Sequence, residues 1–272
     1  MVAFTGSTRT GKRIMELASQ KVARVHLELG GKAPFIVFAD ADLEAAVQGA
    51  VVASYINTGQ DCTAATRILV ERSRYAEFLA AFTELSQQVR MGIPQTETTD
   101  MGPLISKDQQ QRVHGFVTRA KAEGISLKLG GDLPSCKGFF YAPTIFSDAS
   151  PQSEIMQEEV FGPVVVVHPI DSEAEAIAVA NGVKYGLAAS VWTKDVMKAW
   201  RVANSLEFGT VWVNDHLPLA SEMPHGGFKE SGFGKDLSRY AFEEYTIAKH
   251  VMFDLSGEAK KGWHFTVFGD AE

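Results

Sequence analysis

Residues 25–38, Val25-His26-Leu27-Glu28-Leu29-Gly30-Gly31-Lys32-Ala33-Pro34-Phe35-Ile36-Val37-Phe38, set two apolar runs on either side of a Gly-Gly turn, and Asp42 then opens an amphipathic stretch. Short apolar runs rich in β-branched and aromatic residues read as strands, and those without polar alternation read as strands buried on both faces. The same unit recurs along the chain. Strands are predicted at 25–29, 35–38, 67–71, 164–167, 190–193 and 210–214, and helical patterns at 42–57, 75–90, 107–123, 172–181 and 195–204. This alternation predicts an α/β fold with a mostly parallel sheet. Asp42, Ser172 and Asp195 precede three of the helical patterns and are predicted N-caps, because their side chains can accept from free N–H groups of a first turn. Loops are predicted at 92–94 and 130–138, and the weakly periodic stretch 256–272 reads as a tail.

With 272 residues and 45% hydrophobic content, the chain can bury a sizeable core. Its 26 basic and 33 acidic residues leave a formal charge of −7, which disfavours nucleic acid or an anionic membrane as a partner. Two cysteines, Cys62 and Cys136, are too few for a disulfide framework, and no Cys/His spacing suggests a metal site. No apolar run reaches the roughly 20 residues of a spanning helix, and the N-terminus lacks a signal-peptide pattern. A cytoplasmic setting is therefore expected. Val2-Ala3-Phe4 reads as the end of a buried strand belonging to a larger sheet.

Three places can carry chemistry. Cys62, in Asn57-Thr58-Gly59-Gln60-Asp61-Cys62-Thr63, falls on a turn between a helix and a strand, where a thiolate could attack an electrophilic carbon. Gly59 would let the backbone approach a small substrate, whereas a packed, inert thiol is the plainer alternative. Glu28 is a carboxylate inside an apolar strand. Desolvation would raise its pKa and suit it to taking a proton from water, unless it is simply paired with a cation such as Lys32. Thr5-Gly6-Ser7-Thr8-Arg9-Thr10-Gly11 links a strand end to a helix start, a place for a phosphate or merely for a Ser7 cap.

Taken together these segments resemble the aldehyde dehydrogenase superfamily over nearly the whole chain. Phe4-Thr5-Gly6-Ser7 is similar to its cofactor-phosphate turn, Leu27-Glu28-Leu29-Gly30-Gly31-Lys32 to its general-base motif and Gly59-Gln60-Asp61-Cys62-Thr63 to its nucleophile motif. Glu158-Glu159-Val160-Phe161-Gly162-Pro163 resembles the segment that meets the nicotinamide ribose through a glutamate, here Glu159, and the nicotinamide through Phe161. Asn214 and the glycine-rich Pro224-His225-Gly226-Gly227-Phe228-Lys229 match in order and spacing, His225 and Lys229 reading as structural or surface residues. Within the family the likeness is greatest to γ-aminobutyraldehyde and betaine-aldehyde dehydrogenases.

The resemblance implies NAD(P)-dependent oxidation of an aldehyde, an aminoaldehyde such as 4-aminobutanal, with Cys62 as nucleophile and Glu28 as the base that hydrolyses the thioester. Gly6, Ser7, Leu29, Glu159 and Phe161 would contact NAD, NADP not being excluded, and Asp61 and Asn214 the substrate. Asp61 could favour an ammonium-bearing substrate, or could instead cap a neighbouring N–H. The family's members are about twice as long, so the resemblance implies the C-terminal half. It assigns residues 1–30 to a remnant of the Rossmann-like cofactor domain, 31–240 to the catalytic domain, 241–255 to an oligomerisation strand region and 256–272 to the tail. It also implies a homo-oligomer, or association with a complementary half. Two other functions stay open: a cofactor-independent esterase, and a noncatalytic interaction subunit built on the segment 245–252.

Overall fold

The computed structural model describes residues 1–268; the last four residues of the expected tail, 269–272, lie outside the described residues. In chain order the elements are β1 (Val2–Thr5), α1 (Thr8–Ser19), β2 (Val25–Glu28), β3 (Ala33–Val37), α2 (Leu43–Tyr55), β4 (Ala65–Glu71), α3 (Arg72–Gln87) and α4 (Lys107–Ala122). They continue through β5 (Ser126–Leu129), β6 (Thr144–Ser147), α5 (Glu154–Gln157), β7 (Val164–Ile170), α6 (Glu173–Asn181), β8 (Tyr185–Gly186), β9 (Ala188–Trp192) and α7 (Val196–Ser205). After these come β10 (Thr210–Val213), β11 (Phe228–Lys229), β12 (Gly232–Phe233) and α8 (Ser238–Tyr245). The fold is α/β, as the alternation predicts.

Seven strands form the main sheet in the order β10-β9-β3-β4-β7-β6-β5, parallel throughout except for the antiparallel β5–β6 pair. Side chains alternate across it and both faces are covered. Ile36, Leu69, Val166 and Val191 pack with α4, α6 and α7 on one face. Phe35, Val37, Ile68, Val70, Val165 and Val167 pack with α2 and α3 on the other. Burial on both sides is why the central strands carry near-continuous apolar runs, each large side chain contributing about 1.5–3 kcal/mol. Asp42, Ser172 and Asp195 all cap as predicted, accepting from the N–H groups of Ala45, Glu175 and both Met197 and Lys198.

The edge strand β5 and its neighbour β6 escaped the sequence reading. Both are four residues long, and Thr144 and Ser147 are fully buried in β6 because their hydroxyls find partners locally, Thr144 donating to the Ala142 carbonyl and Ser147 to Asp148.

A second, three-stranded sheet runs β1-β2-β12, parallel between β1 and β2 and antiparallel between β2 and β12. Residues 1–30 are therefore joined by the later segment 232–233. The expected buried strand at Val2-Ala3-Phe4 forms, but it is largely exposed, since β1 has a neighbour on one side only. In the segment 245–252, α8 ends at Tyr245 and no strand follows among the described residues; Ile247 is 82% and Met252 81% exposed. A lone extended segment has no row of N–H and C=O groups beside it to complete a ladder.

Arg67 of β4 fixes the loop between β2 and β3. Its guanidinium is fully buried and donates to the carbonyls of Lys32 (3.0 Å), Val179 (2.8 Å) and Ala180 (2.9 Å). The last two belong to the final turn of α6, so the cation also meets the negative end of that helix. Arg67→Met strands three acceptors at once and is expected to cost about 3 kcal/mol. Chemical denaturation checks this, with the midpoint falling at unchanged slope.

Candidate active site

The parallel strands deliver their loops to one end of the main sheet, and the smaller sheet faces them across a cavity of about 440 Å³. Its walls bring together eight of the nine residues singled out in the sequence: Gly6, Ser7, Glu28, Leu29, Asp61, Cys62, Glu159 and Phe161. Asn214 is not among them. It lies at the end of β10, where its side chain accepts from the Thr193 N–H and donates to the Thr193 carbonyl, both at 2.9 Å, which leaves its amide spent on tying β9 to β10.

Cys62 follows a kinked turn over Ile56–Gly59. Asn57 and Thr58 both take positive φ, 49° and 61°, which is rare for a β-branched residue, and the Thr58 hydroxyl donates to the Gly102 carbonyl. Gly59 has φ +66°, and a Cβ there would stand 2.4 Å from the Gly162 carbonyl oxygen. Its close approach is thus to the chain's own backbone, not to a substrate as the sequence reading expects. Beyond the turn, His216 holds the loop: its Nε2 lies 2.8 Å from the Thr63 carbonyl and its Nδ1 3.0 Å from Ser190 Oγ. Burial depresses its pKa to about 4, so the ring is neutral, Nε2–H donating to the Thr63 carbonyl and Nδ1 accepting from the Ser190 hydroxyl.

The cavity is electrostatically negative around the thiol. Burial pushes the Cys62 pKa up to about 12, and the carboxylates of Asp61, Glu159 and Glu28 add to the rise. At rest the sulfur carries its proton. Asp61 does cap its loop: Oδ1 accepts from both the N–H and the hydroxyl of Thr63, at 2.7 Å each. The Cys62 N–H donates to no other group among the described residues, leaving it free for an oxyanion.

Glu28 ends β2 and is only 5% exposed. Burial raises its pKa to about 8, with Asp236 and Glu244 adding to the rise and Lys235 opposing it. No pairing with Lys32 is made: the Lys32 ammonium is buried with no hydrogen-bond partner, and Oε1 of Glu28 likewise has none. A carboxyl that is buried, with Oε1 free of hydrogen bonds and its pKa raised to about 8, suits proton abstraction.

On the remaining wall, Glu159 Oε1 accepts from the Gly31 N–H at 2.9 Å. Ser7 caps α1 by accepting from the Thr10 N–H, which places the helix N-terminus and its free N–H groups at the cavity beside Gly6. An anionic group at the helix start with a hydroxylated group against Glu159 fits one end of a dinucleotide, so the residues present accord with a nicotinamide cofactor.

Gln109 and Arg112 were missed in the sequence. They sit one turn apart on α4, line the cavity and hold the backbone of the Glu159 segment, Gln109 donating to the Phe161 carbonyl (2.6 Å) and Arg112 to the Glu159 carbonyl (2.7 Å). Nothing in an ordinary amphipathic pattern separates such inward-facing polar residues from solvent-facing ones. His225 and Lys229 are structural: His225 Nδ1 lies 3.0 Å from the Thr210 hydroxyl, and Lys229 donates to the Asn181 carbonyl. Among the described residues no helix is long and apolar enough to cross a membrane.

Comparison with known proteins places these features in context. The sequence profile described as "Aldehyde dehydrogenase family" matches residues 1–251. A betaine aldehyde dehydrogenase of Bacillus subtilis is 46% identical over 255 residues, covering 92% of this chain and 52% of the relative. The chloroplastic betaine aldehyde dehydrogenase of Amaranthus hypochondriacus is 42% identical over 265 residues, covering 97% and 53%. The crystal structure of a Staphylococcus aureus betaine aldehyde dehydrogenase in complex with NAD+ superimposes with a TM-score of 0.90 at 41% identity, covering 95% of this chain and 53% of that one. The chain spans about half the length of the curated relatives it matches.

Proposed function

The chain belongs to the aldehyde dehydrogenase family, and from that membership we propose that it carries out NAD(P)-dependent oxidation of an aldehyde to the carboxylic acid, with Cys62 as nucleophile and Glu28 as general base. The observation that carries this reading is the single cavity in which a thiol, a base with raised pKa and the start of α1 meet.

Cys62 Sγ adds to the aldehyde carbon as its S–H bond breaks and the proton passes to cavity water and so to solvent, and the carbonyl electron pair moves to oxygen, where the Cys62 N–H can meet it. Gly6, Ser7, Leu29, Glu159 and Phe161 would hold NAD, which when bound supplies the hydride acceptor that converts the adduct to a thioester. Glu28 then takes a proton from water as the water oxygen bonds the thioester carbon. The C–S bond breaks, the acid leaves and the sulfur regains a proton.

The substrate class proposed is an aldehyde bearing an ammonium group, such as 4-aminobutanal. Asp61, Glu28 and Glu159 give the cavity three carboxyl groups against one guanidinium, Arg112, and the relatives named for betaine aldehyde support the same class.

The 272-residue chain assayed alone is expected to show no measurable NAD-linked aldehyde oxidation, because these five contacts cover one end of a dinucleotide only. Co-expression with the N-terminal half of the Bacillus subtilis relative is expected to restore it, with 4-aminobutanal preferred over butanal and the preference reduced in Asp61→Asn. Failure to restore oxidation, together with an unreactive Cys62, would overturn the assignment.

A further inference from the structure

We propose that His26 is the positioning residue of Glu28, coupling the base to Glu244 through its imidazole so that the proton taken from water is relayed out of the cavity. This rests on the reading of Glu28 as the base. His26 and Glu28 stand two residues apart on β2 and so share a face of the strand. The ring is 2% exposed and meets three carboxylates. Nδ1 lies 2.7 Å from Glu244 Oε2, while Nε2 lies 3.1 Å from Asp236 Oδ1 and 3.9 Å from Glu28 Oε1. Tyr245 covers one side at 5.7 Å between ring centroids. Gly234, at φ +101°, admits the contact, since a Cβ there would stand 2.4 Å from His26 Nδ1 and 2.8 Å from Glu244 Oε2.

This arrangement sets the ring's proton inventory. Glu244 faces Nδ1 at 2.7 Å, and Nε2, which makes no hydrogen bond, stands between Asp236 Oδ1 at 3.1 Å and Glu28 Oε1 at 3.9 Å, the nitrogen that can accept from Glu28. Buried Glu28 Oε1 has no hydrogen-bond partner, so turning that carboxyl across the 3.9 Å gap breaks none of its own bonds there. When water attacks the thioester, its proton bonds Glu28. Glu28 passes it to Nε2, and the Nδ1 proton moves to Glu244, whose side chain is one third exposed and returns it to solvent. One proton enters the pair and one leaves it, and no redox partner is needed. While the ring is doubly protonated, Nε2–H faces Asp236 and Nδ1–H faces Glu244, so the cation is paired at both ends. After β12, the Lys235 backbone N–H donates to Glu244 Oε1 at 2.9 Å, while its ammonium donates to the Gly226 carbonyl at 3.1 Å and is the cation that acts on Glu28.

The test compares the chain with His26→Gln and Glu244→Gln in two measurements. In the first, p-nitrophenyl acetate acylates Cys62 and the hydrolysis of the acyl group is followed. Both variants are expected to acylate within about twofold of the parent and to hydrolyse about tenfold more slowly. In the second, the Glu28 carboxyl is titrated by carbon-13 NMR in the unreacted protein, and its midpoint is expected to fall by about half a pH unit or more in His26→Gln, because the nitrogen that can accept the carboxyl proton is lost. Unchanged hydrolysis with an unchanged Glu28 titration overturns the proposal, as does an equal slowing of acylation and hydrolysis, which marks a packing role. If the parent forms no acyl-Cys62 at all, the reading of the site fails on its own account, and the NMR titration alone decides whether His26 and Glu28 are coupled.

Discussion

Cys62→Ala is expected to abolish every covalent adduct that aldehydes or activated esters leave on the folded chain, while Cys136→Ala leaves them intact. Both thiols are free, and exposure alone favours Cys136, which sits on the open loop after Gly131, whereas Cys62 is partly buried and held protonated. A general alkylating reagent therefore marks Cys136 readily and says nothing about the site. An acyl donor differs because its carbonyl oxygen gains charge as sulfur attacks, and only Cys62 has a free N–H beside a cavity to receive that charge. Peptide mapping by mass spectrometry after p-nitrophenyl acetate should place the acetyl group on Cys62, and labelling there should vanish in urea. Acyl groups found on Cys136 alone, with Cys62 unmodified in the folded protein, would refute the nucleophile assignment.

The sequence made the sheet legible because its central strands are buried on both faces, so apolar runs such as Phe35-Ile36-Val37 mark them without any need for alternation. The three N-caps were legible for an equally local reason, since a cap is a contact between residues two or three apart. The site was readable as motifs but not as geometry. Asp61 illustrates the difference: the sequence left open whether it faces a substrate or caps a neighbour, and the structure shows the cap, one oxygen accepting from Thr63, on a residue that lines the cavity. What the sequence hid are contacts made across more than forty residues. Arg112 on Glu159, His216 on Thr63 and His26 against Glu244 each join elements whose spacing carries no periodic signal. Asn214 is the converse, a residue in a matching segment whose side chain is occupied by backbone.

Glu28→Gln is expected to slow hydrolysis of a preformed acyl-Cys62 by about 10²–10³-fold while leaving acylation within a few-fold. The amide keeps the volume of the side chain in a buried position yet cannot accept the water proton. The two steps separate because only hydrolysis consumes water. In the parent, the hydrolysis rate should rise with pH and level off above about 8, since burial and the neighbouring Asp236 and Glu244 hold the carboxyl protonated, and therefore inactive as a base, below that point. The sign follows from the raised pKa: an ordinary glutamate would be fully ionised by pH 6 and would give a flat profile there. In Glu28→Gln the slow residual hydrolysis should lose this inflection and follow hydroxide instead. Stopped-flow measurement of acetyl-enzyme decay between pH 6 and 9.5 reads both effects. Equal losses in acylation and hydrolysis, or an inflection near 8 that survives the substitution, would show that the titrating base is another group and that Glu28 serves the fold of β2 instead.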